Sequence, residues 1–179
     1  LNWKRKYINW QIKKLAKKLK RQKSFVSWND ANKIVLLISY TDLNRNFLTS
    51  ALELMEGKDV HIWCFKEGKE LPKLDNDLVT LFNSKSISFF QKPNKIIINK
   101  YWAQEVDLLL DLTTQEVLPL KFLAGISKAP CRCGLTKDGY EWESCSHRFV
   151  AANFTLPQND KIGISGNDIV LFMVRIISK

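Results

Sequence analysis

Residues 33–65, KIVLLISYTDLNRNFLTSALELMEGKDVHIWCF, decide the fold. The first eight of them, KIVLLISY, form a continuous apolar, β-branched run. A strand buried on both faces of a parallel sheet reads this way, whereas a half-solvated strand alternates apolar with polar. Thr41 and Asp42 follow as candidate helix caps. Between 43 and 56, Phe47, Leu48, Ala51, Leu52 and Met55 recur on one helical face, and Gly57 is the expected stop. The segment 59–65, DVHIWCF, is strand-like again. Strand, helix and strand with short connections make one βαβ unit.

Working downstream, 66–83 reads as a polar loop with one helical turn at 77–82, and 87–91 as a short strand. Residues 95–104 read as a helix or an extended segment. The run 107–112, DLLLDL, is a buried strand. Thr113 and Glu116 stand in capping-box spacing, but Pro119 favours a helix that starts near itself and runs to 127. Short strands are expected at 131–134 and 148–152, and an apolar helix at 168–178 after Gly166 and Asn167. Alternating strands and helices of this kind predict a three-layer α/β domain with a largely parallel sheet.

Upstream lies a segment of another character. Residues 1–23 hold ten basic side chains: Lys4, Arg5, Lys6, Lys13, Lys14, Lys17, Lys18, Lys20, Arg21 and Lys23. They hold no Asp or Glu. The whole chain has 28 basic and 18 acidic residues, so 24–179 is formally neutral and the net +10 belongs to this arm. Good helix formers without Pro or Gly predict a basic N-terminal α-helix, with Leu1, Ile8, Ile12, Leu15, Ala16 and Leu19 on one stripe. Trp3, Tyr7 and Trp10 fall on the far side among the lysines. The expected organisation is a basic helical arm at 1–23, a connector at 24–32, and the α/β domain at 33–179.

Three readings of the arm stand open. Its stripe could pack on its own domain or a partner. Its basic rod with interleaved aromatics suits phosphate contact and stacking of unpaired bases. Basic residues and Trp also suit a helix lying on anionic lipid, although such helices present one broad apolar face and the Trp residues here are off the stripe. Docking on a polyanion is not expected if the lysines fold back onto the body's own carboxylates.

The 107–113 segment DLLLDLT, with PLKFL from Pro119, SKA from Ser127 and Gly134, resembles a small uncharacterised family of Bacteroidetes proteins with a Rossmann-like body and a lysine-rich N-terminal helix. The resemblance implies a fold and no chemistry. The same stretch is similar to the N-terminal half of two-domain heptosyltransferases. The second domain that would hold the sugar nucleotide has no counterpart here, which argues against transfer chemistry.

Ligands of open α/β sheets bind beyond the carboxyl ends of the strands. There the sequence offers Thr41, Asp42, Asp111, Thr113 and Thr114. Two carboxylates with hydroxyls could hold Mg²⁺ or work as acid and base; the plainer reading makes Asp42 and Thr113 helix caps. No glycine follows the first strand to admit a pyrophosphate, and GxGxxG, GxxxxGK[ST] and GxSxG are missing, so no nucleotide cofactor is expected. Cys131, Cys133, Cys145 and His147 are zinc-type ligands, but C-x-C is tighter than the usual spacing and equally describes two buried cysteines. His61, alternating with Trp63, reads as structural.

The function expected from the sequence is non-enzymatic. The protein docks on RNA, ribosomal RNA and ribosomal protein first, through Lys4, Arg5, Lys6, Trp10, Lys13, Lys14, Lys17, Lys18, Lys20, Arg21 and Lys23, in the cytoplasm and without a cofactor or metal. The alternatives are a peripheral protein whose helix lies on the inner membrane and a small-molecule enzyme with a site at the strand ends.

Overall fold

The computed structural model of the chain describes residues 2–19, 21–22, 24–43, 45–73 and 76–134. Helix α1 (Asn2–Leu19) comes first, then β1 (Lys33–Ser39), α2 (Arg45–Leu54), β2 (Asp59–Lys66), β3 (Val79–Asn83), α3 (Lys95–Trp102), β4 (Leu108–Asp111), α4 (Leu118–Gly125) and β5 (Cys131–Gly134). All four strand pairings are parallel, in the order β3-β2-β1-β4-β5. The fold is therefore a Rossmann-like α/β domain, as residues 33–65 predict. The expected strand at 148–152 and helix at 168–178 lie outside the described residues.

The two-sided burial of β1 builds the three layers. Ile34, Leu36 and Ile38 enter one apolar cluster, with Val60, Ile62 and Cys64 of β2 and Ala51 and Met55 at the α2 side. Val35 and Leu37 enter the other, with Trp63 and Phe65 of β2, Ile97, Ile98 and Tyr101 of α3, and Leu120, Phe122 and Leu123 of α4. Successive strand residues point to opposite faces, so an unbroken apolar strand feeds both clusters.

Helix α1 belongs to the second cluster. Ile8 is fully buried there, and Tyr7, Ile12, Leu15 and Leu19 pack against it. The aliphatic stripe is thus an internal surface of the body, as in the first of the three open readings. Contact with α4 is close: a Cβ on Gly125 would sit 2.5 Å from Ile12 Cγ2. The connector then delivers Val26 and Trp28 to the opposite apolar cluster. It is tied down by Ser24 N–H to Pro130 O and by Lys58 Nζ, which donates to the carbonyls of Trp28 and Ala31.

Several local expectations need correction. The helical turn expected at 77–82 is strand β3 at the sheet edge, with Thr80, Phe82 and Asn83 buried. Among the described residues of the crossover from β2 there is no helix, and without one the pairing is hard to read from sequence. The strand expected at 87–91 is a turn: Ile87 bridges only Pro93, and Gln91 adopts φ +66°. The capping box does not form. Helix α4 begins at Leu118, its first turn carries Pro119, and Val117 provides no side-chain cap. Glu116 is occupied by Lys121 and Arg5.

Candidate polyanion-binding face

Burying the aliphatic stripe turns the rest of α1 outward. At 100° per residue, Trp3, Lys6, Trp10, Lys13, Lys14 and Lys17 lie opposite Ile8 and Ile12. All six are exposed, as is Lys18. From position 3 to position 17 this ridge runs roughly 21 Å. Each of its aromatic positions adjoins a cation. Lys14 Nζ lies 5.4 Å from the Trp10 ring centroid, and Lys4 Nζ lies 5.6 Å from Trp3 and 4.8 Å from Phe89.

Two of the basic residues named from sequence are used within the body. Arg5 donates from Nε to Glu116 Oε2 at 2.7 Å, and the buried Lys121 completes that cluster at 2.8 Å. Arg21 donates to the Ala129 carbonyl at 3.1 Å. Among the described residues no carboxylate lies within ion-pair distance of Lys4, Lys6, Lys13, Lys14, Lys17 or Lys18. The stripe folds back, and these lysines do not. Lys20 and Lys23 lie outside the described residues.

A turn extends the aromatic part of this face. Ser88 N–H donates to Lys92 O, Gln91 N–H to Ser88 O, and Asn94 N–H to Ser86 O, which pins residues 86–94 into a tight loop. Its tip sets Phe89 and Phe90 beside α1. Phe90 meets Tyr7 at 4.4 Å and the edge of Trp3 at 5.4 Å, and Phe89 meets Trp3 at 5.7 Å. The exposed fractions are 47% for Trp3, 55% for Trp10, 73% for Phe89 and 38% for Phe90. The two phenylalanines are not among the site residues expected from sequence, where they fall in a strand. Ser88, Pro93 and Asn94 around them are the available turn signal.

The second candidate, at the carboxyl ends of β1 and β4, does lie at the switch point of the strand order. Each of its two carboxylates is engaged by a threonine. Asp42 accepts from the Thr114 hydroxyl at 3.0 Å and from its N–H at 3.3 Å, and so joins the two loops. Asp111 is fully buried and accepts from the Thr113 N–H at 2.9 Å and hydroxyl at 2.6 Å. Thr113 does not cap α4, whose N-cap position is Val117, and this corrects that part of the plainer sequence reading. Behind them, burial pushes the Cys64 thiol up to about 12, with the charge of Asp42 adding to it.

A cavity of about 530 Å³ opens at the opposite, amino-terminal end of the sheet, between Lys33, Glu105, Asp107 and Trp102. Asp107 there is spent on the backbone N–H groups of Asn32 and Lys33, and Lys33 pairs with Glu105. Cys131 is buried and Cys133 half-buried against the same apolar cluster, while Cys145 and His147 lie outside the described residues. His61 shares a hydrogen bond of 2.9 Å with Thr80. Among the described residues no helix is long and apolar enough to cross a membrane.

Fold and surface together define a parallel α/β domain that wears a basic helix as part of one covering layer. The chain belongs to a family of unknown function (DUF6913), whose model matches residues 4–142. That match takes in α1 as well as the sheet. No curated protein and no solved structure matches the chain.

Proposed function

We propose that the protein is a non-enzymatic RNA-docking domain whose contact surface is the outward face of α1, with ribosomal RNA the foremost candidate. One observation carries this reading: five exposed lysines, Lys6, Lys13, Lys14, Lys17 and Lys18, share one face without a carboxylate partner among the described residues. Such a surface is favoured when phosphates replace the missing counter-charges and release their condensed cations. The helix beneath them is packed on the body, so binding need not order its backbone and pays only for the lysine side chains. The contacts position the protein and read no sequence.

Helix burial also weighs against the lipid alternative. A helix lying in a bilayer interface inserts its apolar face, and that of α1 is already taken up by α4 and the sheet.

The test is RNA binding by the full chain across a salt series. Five phosphate contacts give a log–log slope of about −3.5 on single strands, hence a loss of about a hundredfold between ~50 and ~200 mM salt. Replacing Lys13, Lys14, Lys17 and Lys18 by Gln should reduce that slope to near −0.7. Ribosome co-sedimentation that the quadruple variant loses would support the ribosomal assignment. A flat salt dependence, or unchanged binding by the variant, rejects the reading.

A further inference from the structure

We infer that the aromatic ledge formed by Trp3, Trp10, Phe89 and Phe90 is a stacking platform for unpaired nucleobases, so that the protein prefers single-stranded to duplex RNA. This rests on the RNA-docking reading and names the class of RNA.

The ledge is built from two separate segments, the first turns of α1 and the loop at 86–94. The loop is pinned by three backbone hydrogen bonds and places Gln91, a non-glycine residue, in the left-handed region. Backbone strain at a turn persists only where the surroundings enforce it. Here the enforced conformation holds Phe89 out of the core. Four large aromatic groups on one exposed surface are an unusual use of apolar area, which mostly marks a site of contact.

The charge pattern selects the occupant. Cations stand over the same rings, Lys4 on Trp3 and Phe89 and Lys14 on Trp10. The lysine row continues past the ledge along α1. A single strand offers both partners at once, phosphates for the row and base faces for the rings. A duplex offers phosphates alone, because its base faces are stacked on one another. Every base has a π-face, so the platform accepts any sequence.

The experiment uses the full chain and three probes: a 12-nucleotide oligouridylate, an RNA duplex of 12 base pairs, and vesicles of phosphatidylserine with phosphatidylcholine. Affinity is measured for the parent, for Phe89→Ala with Trp10→Ala, and for Phe89→Leu with Trp10→Leu. Tryptophan fluorescence of the parent is followed as oligouridylate is added. The side chains are largely exposed, and the leucine pair retains apolar bulk while removing the π-face, so a folded comparison is available. The expected result is quenching of the parent and loss of oligouridylate affinity by about fivefold or more for each ring removed, in the alanine and the leucine variants alike, with duplex binding unchanged.

Equal affinity of the parent for strand and duplex overturns the platform and leaves the docking reading standing, as does indifference of oligouridylate binding to both variants. No binding of either RNA at low salt overturns both. Vesicle binding that the leucine variant keeps and the alanine variant loses, without RNA binding, assigns the ledge to lipid and overturns it as well.

Discussion

Gly125 and Ile12 decide whether the basic helix can sit where it does. The α4 backbone approaches α1 so closely at Gly125 that any Cβ meets three carbons of the Ile12 side chain within 2.8 Å. Gly125→Ala should lower stability by about 1–3 kcal/mol, the ordinary range for an overpacked contact, read as a shift in denaturant midpoint at constant slope. Ile12→Ala deletes all three of those carbons, so the double variant with Gly125→Ala should lose less stability than the two single variants summed. Ile8, fully buried, is the complementary probe, and Ile8→Ala should cost about 2–5 kcal/mol. His61 supplies a pH signature. Burial, and then the charge of Lys100, hold its pKa below the ordinary 6.5. The unfolded chain therefore takes up a proton before the folded one does as the pH falls. Stability should be highest above about pH 6.5 and decline below it, and His61→Gln should flatten that decline in unfolding measured at about pH 7.5 and about pH 5.5.

At the scale of elements, what the sequence disclosed depended on how many faces an element buries. Strands β1, β2 and β4 are central and covered on both sides, and their unbroken apolar runs named them outright. Edge strand β3 carries VTLFN after a polar loop and lacks that signature, so its sequence reads equally as a helical turn. The turn at 86–94 hid because Phe89 and Phe90 are apolar by type and yet exposed. For α1 the aliphatic stripe and the outward aromatics were legible from their 100° spacing. Which partner would take the stripe was not, since Ile8 and Ile12 meet α4 and the sheet only in three dimensions. The roles of Arg5 and Glu116 were hidden likewise, being 111 residues apart. This division within α1 makes a prediction. Replacing Lys13, Lys14, Lys17 and Lys18 by Gln should change stability by no more than about 0.5 kcal/mol, because exposed lysines without a carboxylate partner contribute little to the fold. Glu116→Gln, which leaves Arg5 and the buried Lys121 without their carboxylate, should be clearly destabilising in the same thermal melt.

Across the whole molecule, the +10 charge is concentrated, and its carrier is also structural. The obvious experiment on a basic tail is to remove it. Here removal of residues 1–23 would take Ile8, Ile12, Leu15 and Leu19 out of the apolar cluster they share with Leu120, Phe122 and Leu123 of α4. An exposed apolar patch of that kind drives association. The truncated protein is therefore expected to melt at lower temperature and to aggregate, seen by light scattering, whatever its affinity for RNA. The quadruple Lys→Gln protein carries four fewer charges on an intact helix and should remain a monodisperse species with the parent's melting temperature. If truncation instead left a well-behaved domain with the parent's unfolding transition, the burial of Ile8 would contribute nothing to the body. Basic helix and sheet would then be separable units, and the rigid presentation of the lysines, on which their joint action at a polyanion depends, would be lost as an argument.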